Sequence, residues 1–483
     1  MAVDILLCHA LVLARDPVER RLMTPYFPLG ILYLAATLRE AGYTVALYDG
    51  CFEPDLESFE RALDDHQPRL VGITALSTVR ANALELAARA RRRGLPVIVG
   101  GSDPTGQPEH YLAQRDGERY LVDVVVGGEG EETILELLPA LLSVPGSHDL
   151  AAIRGIAYRR ADEPVRTGPR PLRRDVDAIP LPARDLADLD AYQRAWRAAH
   201  GYSSLSIIAS RGCPFECAWC QKSVFGRSCR LRHPEAVAQE LALLREAYHP
   251  DQVRIVDDVV GIDRRWVGAF RDAVVARGPV VPFECLSRVD LVDREVLTWL
   301  KEAGCVRIQF GAESGSQKVL DAMHKGTRVE QIHTAAALCR ELGIEVYFFI
   351  MVGYPGEEWG DIRATVRLLR KTRPTRFSST IAYPLPGTPF HEQVRDRLAA
   401  APDWDYTAEN RMIYRGRYST RFYRWVQRLL QHEWQCARLR AGELHLRPWL
   451  RLRAVAGLWL TRMAVWVLRL DGAGPRSLPS DRA

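Results

Sequence analysis

No stretch of this 483-residue chain reaches the ~18 uninterrupted apolar residues that a membrane-spanning helix needs. The start of the chain lacks the basic segment and cleavage site of a secretory leader; it runs straight into the strand-like Val3-Asp-Ile-Leu-Leu-Cys8. Charge of one sign is also missing. The 65 Lys and Arg against 60 Asp and Glu leave only +5, a mild bias and not a nucleic-acid footprint. There is no recognisable DNA-binding helix pair and no effector domain. The ten cysteines form no disulfide framework, as in a reducing compartment, so a cytoplasmic protein is expected. No G-x-G-x-x-G opens the first helix, which argues against a nicotinamide dinucleotide domain. What is left, 47% apolar, is an ordinary globular composition long enough for two or three domains.

Cysteine is concentrated at one place. Arg211-Gly-Cys-Pro-Phe-Glu-Cys-Ala-Trp-Cys220 sets Cys213, Cys217 and Cys220 at C-x3-C-x2-C spacing, directly after the strand-like Leu205-Ser-Ile-Ile-Ala-Ser210. Three thiolates on so short a loop can hold three irons of a 4Fe–4S cube and leave the fourth iron open. A small molecule can chelate that iron through an amine and a carboxylate and take an electron from it. Structural zinc is the plainer alternative, but a closed tetrahedral site wants four ligands, often as paired C-x2-C halves, and no second C-x2-C occurs. Cys229, Cys285, Cys305, Cys339 and Cys436 are isolated, as buried small hydrophobes are. Of these only Cys229, nearest the loop, is a candidate further ligand. His324 and His391 read as ordinary polar residues.

This loop resembles the radical S-adenosylmethionine (radical SAM) superfamily, whose signature is the same spacing with an aromatic before the last cysteine; Trp219 fills that place. The resemblance implies that Cys213, Cys217 and Cys220 bind the cluster and that SAM chelates the open iron. Reductive cleavage would then give a 5′-deoxyadenosyl radical able to take a hydrogen from substrate.

The order of the chain suggests five parts: a strand-and-helix domain over 1–145, a connector over 146–203, a barrel over 204–398, a helical region over 399–471 and a disordered tail over 472–483. In the first part strands alternate with helices, the pattern of a parallel, Rossmann-like (flavodoxin-like) α/β sheet. Ligands of such sheets sit beyond the carboxyl ends of the strands. Those ends carry Asp49-Gly50, Thr74 to Ser77, Gly100-Gly101-Ser102 and Gly127-Gly128-Glu129. Glycines there also serve tight strand-to-helix turns. Taken together, Pro28-Leu-Gly30, Gly100-Gly-Ser102 and Gly127-Gly-Glu-Gly-Glu-Glu132 resemble the cobalamin-binding domain that precedes many radical SAM domains. That resemblance makes Gly30, Ser77, Gly100, Gly101, Ser102, Gly128 and Glu129 the candidate cobalamin contacts. The D-x-H-x-x-G motif of methionine synthase-type domains is absent, since Asp49-Gly-Cys-Phe follows the second strand. A cobalt without a histidine lower ligand is therefore expected.

From Ser204 a strand-then-helix pattern repeats about six times, which suits a partial or full α/β barrel with its chemistry at the carboxyl ends of strands. SAM is a zwitterion with a ribose, so its pocket needs carboxylates and close backbone approach. Glu313 and Ser314 suit a ribose diol or amino group, and Arg288 suits a carboxylate. Asp257 and Asp258 could meet the amino group, position substrate or cap the next helix. Gly353 and Pro355, in Gly353-Tyr-Pro-Gly-Glu357, would let backbone approach an adenine or turn the strand.

Cys-Ala-Trp-Cys-Gln-Lys222, Asp257-Asp258, Ser287-Arg-Val-Asp-Leu291, Gly311-Ala-Glu-Ser-Gly-Ser-Gln317, Gly353-Tyr-Pro-Gly-Glu357 and Tyr383-Pro-Leu-Pro-Gly-Thr388 are similar to the cobalamin-binding radical SAM proteins of the anaerobic magnesium-protoporphyrin monomethyl ester cyclase type. The similarity runs from about residue 25 to 430. It implies a 4Fe–4S cluster, SAM and cobalamin, a small-molecule substrate, and a reduced flavodoxin or ferredoxin-like electron donor. Methyl transfer from methylcobalamin to an unreactive carbon is the favoured expectation, because such a carbon is no nucleophile for ordinary SAM transfer. Oxidative cyclisation of a porphyrin-like substrate is the alternative, and a cobalamin- or redox-sensing protein is the alternative of another class. An RNA methylthiotransferase would need further N-terminal cluster cysteines, and Cys8 and Cys51 fall short. Near the end, Arg421 to Trp434 has the stripe of an amphipathic helix. Trp449 to Leu470 is Trp-rich and interrupted by arginines; such a helix can lie on a membrane surface or cover an apolar substrate, the plainer reading being a helix packed over the barrel.

Overall fold

The computed structural model describes residues 2–143, 149–398, 412–445 and 447–471. The expected tail over 472–483 lies outside these residues. The described chain divides into two units. The first comprises residues 2–214 and 221–257, the second 215–220, 258–398 and 412–471.

In the first unit β1 (Ile5–His9), β2 (Val45–Asp49), β3 (Val71–Thr74) and β4 (Val97–Gly100) are short apolar runs. A small hairpin, β5 (Arg115–Asp116) and β6 (Arg119–Tyr120), precedes β7 (Val124–Val126). The connector then supplies β8 (Ile156–Arg160) and β9 (Glu163–Arg166). The sheet order is β2-β1-β3-β4-β7-β8-β9. The first five strands are parallel and the last two antiparallel. The parallel part has the flavodoxin-like order with its switch between β1 and β3. Register aligns His9 with Asp49 and with Thr74, Thr74 with Gly100, and Gly100 with Val126, so the strand ends form one line. The helix Leu29–Glu40 buries Leu29, Ile31, Leu32, Ala35 and Leu38. Of these, Ala35 and Leu38 pack with Ile5, Leu7, Ile98, Val124, Ile134 and Leu137 in one hydrophobic core of the unit.

The second sheet is the parallel series β10 (Ser204–Ile207), β13 (Gln252–Val260), β14 (Phe283–Ser287), β15 (Cys305–Glu313), β16 (Glu345–Val352) and β17 (Arg376–Ile381). Six strands with a helix after each of the middle ones make the partial barrel that the repeat pattern predicts. A two-residue ribbon, β11 (Ser210–Arg211) with β12 (Arg230–Leu231), flanks the cysteine loop. In the second unit Ser287 Oγ donates to the Val260 carbonyl at 2.7 Å, tying β14 to the end of β13. Asp293 caps the helix Arg294–Glu302 by accepting the Val296 N–H. Phe310, Phe348, Ile350, Leu297 and Ile332 are buried between the strands and helices. The helices Thr420–Arg440 and Pro448–Asp471 close the chain.

Candidate cofactor sites

Within the second unit, the segment Phe215–Cys220 is held by its backbone: Ala218 N–H donates to the Met323 carbonyl at 2.9 Å, and Phe390 N–H to the Ala218 carbonyl at 3.0 Å. Cys217 is half-buried and Cys220 exposed, and neither is in a disulfide. Arg288, buried at the end of β14, lies over the Phe215 ring at 3.6 Å and sets Nη1 3.7 Å from Cys217 Sγ. That contact gives the Cys217 sulfur a charged hydrogen-bond donor. The fork of Arg288 is already engaged, with Asp290 accepting at 2.9 Å on both oxygens and the Lys325 carbonyl at 2.7 Å. Only its Nη1 side is left toward the loop.

At the end of β15, Glu313 stands at a register shift with φ +56°. A left-handed glutamate at a bulge is backbone strain of the kind that collects at functional positions. Lys325 Nζ donates to Glu313 Oε1 at 3.2 Å and lies 5.1 Å from the centre of the Trp219 ring. Gly311 makes room for this pair, since a Cβ there would come within 2.5 Å of Glu313 Oε1 and 2.6 Å of Lys325 Nζ. Ser314 is fully buried, with its Oγ against Thr365 at 3.2 Å. Tyr383, which sequence reasoning left out of the site, has its phenol proton held more tightly than usual by burial and then by the charges of Glu313 and Cys220. The residue is still 40% accessible, so the protein around it desolvates the phenol without covering it.

The Gly353-Tyr-Pro-Gly-Glu turn follows β16. Gly353 donates to Glu357 Oε2 at 2.7 Å, and Tyr414 donates its hydroxyl to the Gly353 carbonyl. Pro355 is half-buried in this turn. Glu357 is buried, with no hydrogen bond at Oε1, and burial pushes its carboxyl up to about 8. The folded chain thus keeps a proton that the unfolded chain releases near its ordinary value, so this residue costs stability as pH rises between those two values. Glu357→Gln is expected to flatten the fall in thermal stability between pH 5 and 8, by a few kcal/mol at most. Parallel melting curves for the two proteins across that range would refute a neutral Glu357.

In the first unit, Asp257 ends its part of β13 and is buried; it accepts the Ala209 N–H at 2.7 Å and the Ser210 hydroxyl at 2.6 Å. Asp258, the next residue and in the second unit, is exposed. Cys213 is buried, its N–H directed to the Gly226 carbonyl at 3.4 Å. Arg211 and Arg230, opposite one another on the β11–β12 ribbon, converge on Glu129: Arg211 donates at 2.9 Å to Glu129 and 2.7 Å to Glu131, and Arg230 at 2.7 Å to Glu129. Glu129 stands at the rim of an apolar recess of about 130 Å³ also lined by Gly30, Gly100, Gly101 and Gly128. Gly128 and Glu129 border a second cavity of about 480 Å³, with Thr105, Gly155 and Leu172 among its walls. Gly101 has φ +112°, and a Cβ there would lie 2.5 Å from the Ala75 carbonyl oxygen, so only glycine fits. Ser77 opens the single turn Ser77–Val79 and Ser102 opens the short helix Ser102–Gly106. Neither lines the two cavities; the Ser102 carbonyl accepts from Ser223.

Sequence reasoning missed a buried relay at the ends of β1 and β2. His9 Nδ1 pairs with Asp49 at 3.0 Å, and Tyr192, from the connector, donates to the other Asp49 oxygen at 2.8 Å. Burial works to raise the Asp49 carboxyl, but His9, Tyr192 and the Cys51 N–H together bring it below its ordinary value. No local signal joins Tyr192 to Asp49. Asp49 follows an apolar strand as any turn residue would.

Among the described residues, no three His, Cys, Asp or Glu side chains converge as the ligands of one ion would. Thiolates on separate corners of a cube need no such convergence.

These features define an α/β radical SAM fold preceded by a cobalamin-type sheet. A model of the Radical SAM superfamily matches residues 207–369, and one of the B12 binding domain matches residues 20–138. An uncharacterized methyltransferase of Pyrococcus horikoshii is 30% identical over 80% of this chain and 79% of its own length. The anaerobic magnesium-protoporphyrin IX monomethyl ester cyclase of Cereibacter sphaeroides is 28% identical over 79% of this chain and 62% of its own length. Among solved structures, the radical SAM methyltransferase TsrM of Kitasatospora setae, with cobalamin and a 4Fe–4S cluster bound, superposes with TM-score 0.67 at 21% identity, over 86% of this chain and 82% of that one. The cobalamin-dependent radical SAM enzyme OxsB superposes with TM-score 0.71 at 17% identity, over 97% and 72%. The chain belongs to the cobalamin-binding radical SAM family of enzymes.

Proposed function

We propose that this protein is a cobalamin-dependent radical SAM methylase acting on an unactivated carbon of a small molecule. When bound, the cluster, SAM and cobalamin supply one-electron cleavage of SAM and a methyl carrier. The observation that carries the reading is the glycine-walled recess at the strand ends of the first unit, shared at Gly128 and Glu129 with the larger cavity. Six glycines line that recess and admit close backbone approach by a large cofactor. Gly30, Gly100, Gly101, Gly128 and Glu129 would hold cobalamin, with Ser77 and Ser102 supporting the turns behind them.

Cys213, Cys217 and Cys220 would bind three irons, with Arg288 donating to the Cys217 sulfur. Glu313 and Lys325, fixed by each other beside Trp219, would orient the polar groups of SAM, with Ser314 bracing the bulge. Gly353 and Pro355 would approach the adenine. Asp257 holds the end of β10 in place for the cysteine loop, and Asp258 would face solvent or substrate. A reduced flavodoxin or ferredoxin-like protein would supply electrons.

The test is anaerobic purification with cobalamin, followed by iron, sulfide and cobalt counts and analysis of SAM turnover products. One cluster and about one cobalamin per chain, with a methylated product, support the reading. A cluster without cobalamin sinks methyl transfer. The relative at 28% identity keeps a second reading open, oxidative cyclisation of a porphyrin-like substrate. In that case 5′-deoxyadenosine forms and no methyl group appears in the product.

A further inference from the structure

The final helix, Pro448–Asp471, is apolar on two opposite faces. Its inner face, Ala454, Leu458, Thr461 and Val465, is buried. That face packs on the antiparallel helix Thr420–Arg440: Cys436 Sγ reaches the Ala454 carbonyl, and Arg462 donates twice to Glu433, at 2.9 and 2.6 Å. A helix packed over a barrel needs only one such face. The outer face carries Trp449, Leu452, Trp459, Leu460, Met463 and Trp466, each between 57% and 73% accessible. At 3.6 residues per turn they fall within an arc of roughly 120°. Arg451, Arg462 and Arg469 follow one border of that arc and Arg453 the other.

Charge points the same way. From Thr420 to Asp471 the chain holds ten arginines, no lysine and three acidic residues, a net +7 in a protein whose total is +5. The positive charge of the whole molecule is therefore gathered on its last two helices. No acidic side chain stands between Pro448 and Leu470. A second copy of this helix would set arginine borders against arginine borders with nothing to answer them. A surface of anionic lipid answers both features, since headgroup phosphates pair with the arginines while the tryptophans and leucines enter the interface.

We propose that the outer face of Pro448–Asp471 is a membrane-surface site that binds anionic phospholipid with the helix lying in the plane of the bilayer. The helix does not span: no helix among the described residues is long and apolar enough to cross a membrane.

The experiment is co-sedimentation of the full chain with vesicles of phosphatidylcholine alone and of phosphatidylcholine with phosphatidylglycerol. Binding is expected only to the anionic vesicles and to weaken in high salt. Trp459→Ser with Leu460→Ser should lower it at least tenfold while the melting temperature stays unchanged, both side chains pointing outward. Arg451→Glu with Arg453→Glu, also exposed, should abolish the preference for anionic lipid, and serves if the first variant fails to fold. Absence of binding at low salt, or equal binding by the charge-reversed protein, overturns the proposal. So does a concentration-dependent dimer that Trp459→Ser dissolves, which would give the face to a second copy.

Discussion

Cys217→Ala is expected to empty the cluster site, taking iron and sulfide close to zero and SAM cleavage down by roughly a thousandfold or more, ~4 kcal/mol of barrier. The thiol is half-buried on a loop whose fold rests on backbone bonds, from Ala218 to Met323 and from Phe390 to Ala218. Alanine leaves those bonds in place. The loss should therefore be of a ligand and not of the fold. Cobalt content should be unchanged, since the glycine-walled recess belongs to the first unit. Cys229→Ala, by contrast, should keep its iron. A Cys217→Ala protein that retains a full cluster spectrum would remove the C-x3-C-x2-C loop from the mechanism.

Arg211→Met is expected to cost about 3–5 kcal/mol of stability, the usual penalty for stranding buried charge. Arg211, Glu129 and Glu131 have side chains 4%, 10% and 9% accessible. Removing the cation leaves Arg230 to serve Glu129 and leaves Glu131 buried without its 2.7 Å partner. Glu131→Gln added to Arg211→Met should recover part of the loss, because a neutral amide is cheaper to bury than a carboxylate. Arg211→Lys should fall between, since one ammonium cannot fork to two carboxylates. Denaturant unfolding of the four proteins decides it, with the unit carrying the change expected to unfold first. Equal midpoints for wild type and Arg211→Met would show that solvent reaches this trio.

The reach of sequence reading follows from which information is local. Apolar runs of four to nine residues, each followed by glycine or a polar cluster, identify strands and their carboxyl ends without knowledge of their neighbours, and the three cysteines carry their chemistry in their spacing. Arg288 shows the limit. Its planar fork reads as a carboxylate receptor for SAM, yet Asp290, two residues on, already occupies that fork. Lys325 gave no signal at all; it matters because the chain after β15 runs through the short helix Gln317–Ala322 and returns it to Glu313.

The amino-acid sequence by itself determined the chemistry class, the parallel sheets and the line of glycines at their strand ends, because each depends on residue type at short spacing. The tertiary structure alone decided four things. The connector strands β8 and β9 extend the first sheet in antiparallel register, and Tyr192 completes the His9–Asp49 relay. Arg211 and Arg230 meet on Glu129, and the tryptophan face of the last helix is the one left outside. Each rests on pairing between residues far apart in the chain. Periodicity can say that a helix has two apolar faces, but only packing says which of them is covered.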